Sequence, residues 1–441
     1  MNDYSTLELI LKDILLAINP SREDWSVRLH TIKELQAIVE SIENLRGATV
    51  EPFGSFTSNL FTRWGDLDIS IELDNCSHIV SLKKKHKLNL LREVMRALRQ
   101  KYGWGRIQFI SNARVPILKL VSGHGISCDI SISNLCGQMK SKLLFWINEI
   151  DGRFRDLVLL VKEWAKAHNI NDPKSGTLNS YSLSLLVVYH LQTLEPAILP
   201  PLREIYPGNM INDLTGERAA AVKHIEDICA VNINRIKSDG SRLNNQSSLA
   251  ELFISFLAKF ADICSRASEQ GISPFSGRRE DIYSNMRWFP NTCKLFVEDP
   301  FEQPSNTART VGCDQMEMIV EAIQATQSVI TSPRQKNQPS VVSVLVRSHI
   351  SHLVARKPIA NSVTMQSVAR KPATYHSRNG RGTHLQAQRK QMPSQVGKQF
   401  QNLTIDGQQN GSSNGPTQAS SSGRQQNWRP RSQEYNWSTS F

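Results

Sequence analysis

The spacing of hydrophobic positions changes character three times along the chain. Leu7, Ile10, Leu11, Ile14 and Leu15 recur at helical intervals. After Asn19-Pro20, which reads as an N-cap and first-turn pair, the stripe resumes at Trp25, Leu29, Ile32, Leu35, Ile38, Val39 and Ile42 and stops at Gly47. Short extended segments follow at Thr49–Pro52, Asp66–Leu73, Val115–Val121 and Ile126–Ile132, with a helical stretch at Leu88–Leu98 between them. From Asp151 to about Ser265 the period is helical again, most plainly in the ladder Leu249, Leu252, Phe253, Phe256, Leu257, Phe260. Beyond Thr331, Ser, Gln, Asn, Arg and Gly prevail, with too little apolar surface to order the chain, and the one apolar piece, VVSVLV at 341–346, has strand propensity. The pattern predicts an α+β fold with a helical second lobe and a disordered tail.

Composition narrows the class. A length of 441 residues, 39% of them hydrophobic, allows two or three domains with a sizeable core. The longest apolar runs, Leu157–Val161 and Leu183–Tyr189 (interrupted by Ser184), fall far short of the roughly 18 residues of a membrane span. No basic n-region opens the chain, and the seven cysteines are scattered singly without CxxC, so the expectation is a soluble, reduced, intracellular protein without a disulfide framework or structural zinc. Charge is segregated. Of the 52 basic residues, 15 lie in 331–441 against two of the 40 acids, so this tail carries +13 and residues 1–330 carry −1. Such a tail suits a polyanion, or is a solvated arm without a specific ligand. Within it Val-Ala-Arg-Lys-Pro occurs twice, at 354–358 and 368–372. The run Lys83–Lys87 reads as an exposed loop.

Three pieces carry chemistry when taken together. Gly54-Ser55 follows an extended segment, where a glycine admits close approach of phosphate oxygens and a serine supplies donors. Asp66-Leu67-Asp68 opens a strand, so both carboxylates share one face while Leu67 turns to the core. Asp129 occupies the polar face of an alternating strand in which Cys128, Ile130 and Ile132 form the apolar one. Neighbouring carboxylates repel unless a cation sits between them, and hard oxygen donors suit Mg²⁺. On adjacent strands three of them support in-line phosphoryl transfer.

In order and spacing, Pro52-Phe-Gly-Ser-Phe, Asp66-Leu-Asp-Ile, Val115-Pro-Ile-Leu-Lys and Cys128-Asp-Ile-Ser resemble the palm of the polymerase β-like nucleotidyltransferases, in their poly(A)/poly(U) polymerase branch. Asn244-Asn-Gln-Ser-Ser-Leu-Ala-Glu-Leu-Phe resembles the start of the poly(A)-polymerase-associated region, and Val297-Glu-Asp-Pro-Phe-Glu with Asn306-Thr-Ala-Arg-Thr the nucleotide-recognition segment. The resemblance covers roughly 1–325 and is strongest to plant terminal uridylyltransferases that tail small RNAs.

The resemblance implies a polymerase β-like palm over 47–150, a helical poly(A)-polymerase-associated lobe over 151–325 with the 1–46 helices packed on it, and a basic, disordered tail over 326–441. It implies that Asp66, Asp68 and Asp129 are catalytic and hold Mg²⁺ or Mn²⁺. Gly54, Ser55, Lys162, Lys166 and Ser180 are then expected on phosphate, Asn134 on ribose, and Tyr181 stacked on the base. Read without it, Lys162 and Lys166 are an ordinary solvated helix face, Tyr181 a core aromatic and His190 a packed core histidine. Asp299 and Glu302 match positions that face the nucleobase, and Arg309 is expected to support them or the primer end. Lys140 stands where relatives often place a second Asn and is expected against phosphate or RNA. Some uridine-specific relatives carry a histidine at the place of Ser305. The expected activity is uridine addition from UTP to RNA 3′ ends, marking small RNAs for decay. Adenylyl transfer and a silent RNA-binding scaffold are the alternatives. The expected partners are single-stranded RNA and, through Trp428 and Trp437 of the tail, an Argonaute-type protein, with no membrane. The expected location is the cytoplasm, with the nucleus as a second compartment.

Overall fold

Five strands set the frame of the first lobe in a computed structural model that describes residues 4–73, 78–79, 82–239, 245–288, 294–331 and 338–355. They are β1 (Thr49–Phe53), β2 (Leu67–Glu72), β3 (Gly105–Ile110), β4 (Ile117–Val121) and β5 (Ser127–Ile132), in sheet order β1-β2-β5-β4-β3. Only β2 and β5 pair in parallel. The four expected strands are all present, and β3 is additional. It is an edge strand with a register shift and a left-handed Arg106 (φ +51), and none of its residues is fully buried.

Helices α1 (Ser5–Ile18) and α2 (Arg22–Glu40) match the first two stripes. The N-cap of α2 is Ser21 rather than Asn19. Its hydroxyl accepts from Asp24 N–H at 3.2 Å while the Asp24 carboxylate accepts from Ser21 N–H at 2.7 Å, a capping box. The two helices also part company. Leu7, Ile10, Leu11, Ile14, Leu15 and Ile18 of α1 join the helical lobe, as expected of residues 1–46. Leu35, Ile38 and Val39 of α2, with Ile42 and Leu45, pack instead against the sheet, because α2 leads straight into β1. A short α3 (Gly54–Thr57) follows β1, and α4 (Lys84–Gln100) covers the sheet with Leu90, Leu91, Val94 and Leu98. Lys84–Lys87 are thus the first turn of α4 rather than a loop. Their charges are used: Lys84 Nζ donates to Ala113 O and Lys87 Nζ to Ser133 O, each at 3.0 Å.

The second lobe comprises α5 (Leu135–Asn148), α6 (Arg153–Ala167), α7 (Ser180–Gln192), α8 (Met210–Asp213), α9 (Arg218–Ser238), α10 (Leu249–Phe260), α11 (Ile263–Ala267), a hairpin of β6 (Gln270–Ser273) and β7 (Arg278–Asp281), and α12 (Cys313–Thr331). Its core also takes Met139, Leu143, Leu144 and Ile147 of α5, so this helix belongs to both lobes. Every residue from Ser182 to Gln192 is buried, which accounts for the apolar run Leu183–Tyr189, broken only by Ser184. His190 lies within it fully buried, its ring 3.2 Å from Ser255 Oγ, and burial together with Lys259 pushes it down to about 3.

The described residues past 325 are helical, with α12 reaching Thr331. Two further helices, α13 (Gln338–Leu345) and α14 (Ser348–Ala355), pack on the helical lobe, and the expected strand at 341–346 lies in α13 and the residue after it. Val341, Val342, Leu345 and Val346 form a buried helical stripe, so tertiary packing overrides the propensity of β-branched residues. Arg347 clamps the arrangement with a bidentate pair, at 2.7 and 3.0 Å, to Glu163 of α6, which is 0% exposed. Both tail tryptophans and the second Val-Ala-Arg-Lys-Pro lie outside the described residues, and the first repeat only begins in α14. No helix among the described residues is long and apolar enough to cross a membrane.

Candidate active site

Strand register assembles the acidic row. Asp68 of β2 stands opposite Asp129 of β5, and Asp129 opposite Lys119 of β4. On the other side Phe53, the last residue of β1, pairs with Asp68, and Gly54 follows immediately. Leu67 is fully buried, as the Asp66-Leu67-Asp68 pattern requires, while Asp66 sits just outside the strand with its side chain 51% exposed. Gly54 adopts φ +68, and a Cβ built there would fall 2.0 Å from Asp68 Oδ2. Only glycine allows this approach. The Gly54 N–H donates to Ser141 Oγ of α5 at 2.7 Å, locking the turn to the helical lobe.

The electrostatics are those of carboxylates short of a cation. Burial, then the charges of Asp129 and Asp66, push Asp68 up to about 7. Asp129 is also raised, by burial and by Asp66, against the opposing pull of Lys119. Lys119 Nζ lies 3.4 Å from Asp66 Oδ2 and 3.1 Å from Asp129 Oδ1, yet the buried Asp129 Oδ1 accepts no hydrogen bond. An unsatisfied buried oxygen in an all-oxygen donor set fits a hard divalent ion. The donor atoms of the three carboxylates do not all lie within 4.8 Å of one another. Among the described residues, the group of three whose donor atoms all lie within 4.8 Å is instead His30, Glu34 and His124, on α2 and the β4–β5 turn. Lys119, not singled out from the sequence, could have been found from the alternation of β4, which places it on the polar face.

Toward the expected phosphate side, Lys162 is buried, which excludes the solvated-face reading. Its Nζ donates to Leu60 O at 2.8 Å, and burial, then Lys166, pushes it down to about 7 while Asp68 opposes the shift. Lys166 is half-buried and lines an open cavity of about 450 Å³ with Asn169, Arg347, Ser348 and His349. Ser55 is partly buried, its carbonyl accepting from Leu60 N–H at 2.9 Å. Ser180 opens α7 and donates to Asn171 Oδ1 at 3.1 Å. Asn134 caps α5, its Oδ1 accepting from Gly137 N–H at 3.2 Å, a structural use the ribose expectation did not include.

At the other end the expected base-facing residues meet. Lys140 Nζ lies 2.5 Å from Asp299 Oδ2 and 2.6 Å from Glu302 Oε2, so it pairs with these carboxylates rather than standing free for phosphate or RNA. Tyr181 OH donates to Asp299 Oδ1 at 3.2 Å, and the Lys140 ammonium lies 5.3 Å from the centre of the tyrosine ring. Burial, followed by Asp299, raises the Tyr181 phenol far above its ordinary range. Arg114, which the sequence did not mark, donates to Glu302 at 3.1 Å. Asn306 fixes the segment by donating to Leu295 O at 2.8 Å and accepting from Val297 and Ala308 N–H. Arg309 is exposed, and the structure does not bring it into this cluster.

This is a palm sheet with a row of carboxylates, beside a helical lobe that carries the buried Lys162, the half-buried Lys166 and the polar cluster of Lys140, Tyr181, Asp299 and Glu302. Residues 7–149 match the family model described as poly(A) RNA polymerase, mitochondrial-like, central palm domain. The chain is 55% identical over 351 residues to Protein HESO1 of Arabidopsis thaliana, covering 79% of this chain and 68% of that one. It is 32% identical to the Poly(A) RNA polymerase GLD2 of Mus musculus, covering 68% of this chain and 57% of the relative. Among solved structures it resembles the Cid1 poly(U) polymerase at a TM-score of 0.60 and 24% identity, spanning 78% of this chain and 100% of that one. It also resembles mtPAP in complex with UTP, at 0.59 and 20%, spanning 77% and 72%. The chain belongs to the poly(A)/poly(U) polymerase branch of the polymerase β-like nucleotidyltransferases.

Proposed function

We propose that the chain is an RNA terminal uridylyltransferase, which joins the 3′-oxygen of RNA to the α-phosphorus of UTP with release of pyrophosphate. The observation that carries the reading is the register-matched row of Asp68 and Asp129 with Asp66 beside it and Gly54 pressed on Asp68. Asp66, Asp68 and Asp129 would hold Mg²⁺ or Mn²⁺, which when bound neutralises the carboxylates and polarises the reacting oxygens. The chain's own residues supply position and charge. Ser55, Lys162, Lys166 and Ser180 are assigned to the triphosphate, Asn134 to the ribose, Tyr181 to the face of the base, and Asp299 and Glu302 to its edge. Arg309 is assigned to the primer end.

The UTP reading rests on the family resemblance to uridylyltransferases. Relatives described as poly(A) RNA polymerases, and a serine at 305, are the observations on the side of ATP. Small RNAs are the proposed substrates and decay the proposed outcome, in the cytoplasm and nucleus. The basic tail is assigned to RNA capture and to an Argonaute-type partner. The test is 3′-extension of a labelled single-stranded RNA of small-RNA length with Mg²⁺ and each NTP separately, beside Asp66→Ala. A UTP ladder that vanishes in the variant supports the proposal, and a ladder chiefly with ATP overturns the base assignment. Failure with every NTP, in Mg²⁺ or Mn²⁺ and with folded protein, overturns the enzymatic reading.

A further inference from the structure

We infer that His30, Glu34 and His124 form a metal site, for Zn²⁺, that ties helix α2 to the turn between β4 and β5. The site takes no residue from the acidic row and does not depend on the uridylyl reading. His30 and Glu34 are four apart on α2, so their side chains share a face, next in sequence to the buried Thr31 and Leu35. His124 is in the β4–β5 turn, which backbone bonds hold closed. Ser122 N–H donates to Ile126 O at 2.8 Å and Gly125 N–H to Ser122 O at 2.9 Å. Between the two elements, His30 Nε2 lies 3.4 Å from Glu34 Oε1, and His124 Nε2 lies 3.6 Å from Glu34 Oε2. The two imidazole rings meet edge to face with their centres 5.1 Å apart. One donor atom from each of the three residues lies within 4.8 Å of the others.

These separations exceed those of ordinary hydrogen bonds, whose N···O distances are about 2.7–3.2 Å. They match the edge of a coordination tetrahedron instead. Bonds of about 2.0–2.1 Å at the tetrahedral angle put neighbouring donors about 3.3 Å apart. Octahedral geometry at the same bond lengths would draw them to about 2.9 Å. Two imidazoles with one carboxylate suit Zn²⁺, whereas Mg²⁺ favours an all-oxygen set. The three side chains are between 39% and 59% exposed, so an ion has a path in and water completes its shell. The scattered cysteines argue against a thiolate zinc site, and this one uses none of them. Because His124 is far from the other two ligands in sequence, the set converges only in the folded chain, and binding adds to the stability of the fold. The ion would fasten α2 to the hairpin whose strands carry Lys119 and Asp129.

Two experiments test it, and neither reads activity. In the first, the full chain without an affinity tag is titrated calorimetrically with ZnCl₂ in excess Mg²⁺, which is supplied to occupy the acidic row. His30→Ala, His124→Ala and Asp66→Ala are run beside the wild type, each with a thermal melt. One Zn²⁺ per chain is expected, with a melting temperature raised by the ion. Each histidine variant should bind at least about tenfold more weakly, since even the hydrogen-bonding partner of a metal ligand is worth about 10–100-fold in affinity. Both should also lose the melting shift, while Asp66→Ala keeps binding and shift alike. Absence of Zn²⁺ binding, binding unaltered in the histidine variants, or binding lost in Asp66→Ala instead would overturn the inference. In the second, which needs no variant, ring-nitrogen resonances of the wild type are followed by ¹H–¹⁵N spectroscopy. Zn²⁺ should shift those of two of the eleven histidines, and an unchanged spectrum refutes the site.

Discussion

Gly54→Ala is the sharpest available test of the acidic row. At φ +68 a Cβ costs roughly 1–2 kcal/mol of backbone strain before any contact is considered. The added carbon would lie 2.0 Å from Asp68 Oδ2, 2.8 Å from its Cγ and 3.1 Å from its Cβ, so the clash falls along the whole Asp68 side chain. Relief to an ordinary contact requires a movement of about 1 Å or more. The backbone of β2 is held on both sides, by β1 and β5, so the carboxylate has to swing away. A displacement of about 1 Å in a catalytic group costs on the order of 100-fold. The expected result is therefore a fall in kcat of about 100-fold or more at saturating UTP, RNA and Mg²⁺, with a cooperative melt retained at a modestly lower temperature. The assay is single-nucleotide extension of a labelled RNA, with the melt run on the same preparation. A folded variant with wild-type kcat would show that the Gly54–Asp68 approach has no part in the chemistry.

Other consequences follow from the same geometry. Because the Asp68 pKa is raised to about 7 from 3.8, its protonation stabilises the metal-free fold fully below about pH 4, a contribution lost as pH rises through 7. On the proposed metal assignment Mg²⁺ takes the place of that proton, so its stabilising shift in melting temperature should be larger at pH 8 than at pH 6, and a shift independent of pH would contradict the assignment. Lys162→Met keeps the volume but removes a buried charge near Asp68. Stability should hold or rise while kcat falls at least about tenfold, by differential scanning and extension assays, because buried charge is costly to keep. Arg347→Ala leaves Glu163 buried and unpaired and should cost about 3 kcal/mol in urea unfolding; a loss within 0–1 kcal/mol, the range of a surface pair, would refute the clamp. Truncation after 331 should destabilise similarly or more, whereas truncation after 360 should leave the melt unchanged and mainly weaken RNA binding and its salt dependence.

What the sequence determined by itself was local and periodic. The helical stripes of α1, α2, α4, α6, α7 and α10, the alternation of β5, the Asp66-Leu67-Asp68 pattern and the buried His190 are written in neighbouring residues, where side-chain period answers directly to burial. Tertiary structure alone decided which distant groups meet. The row of Asp68, Asp129 and Lys119 depends on strand register across residues far apart in the chain. Helix α13 replaced an expected strand because Val341, Val342, Leu345 and Val346 found an apolar surface to pack on, with Arg347 fixed to Glu163, 184 residues away. Lys162, four residues from Lys166 on one helix, became a buried group because the fold turns it against Leu60, whose carbonyl accepts from its ammonium. Lys140 changed most. The sequence offers it as a lysine where relatives often place an asparagine, expected against phosphate or RNA, and its place comes from two carboxylates about 160 residues onward that the fold delivers to its ammonium.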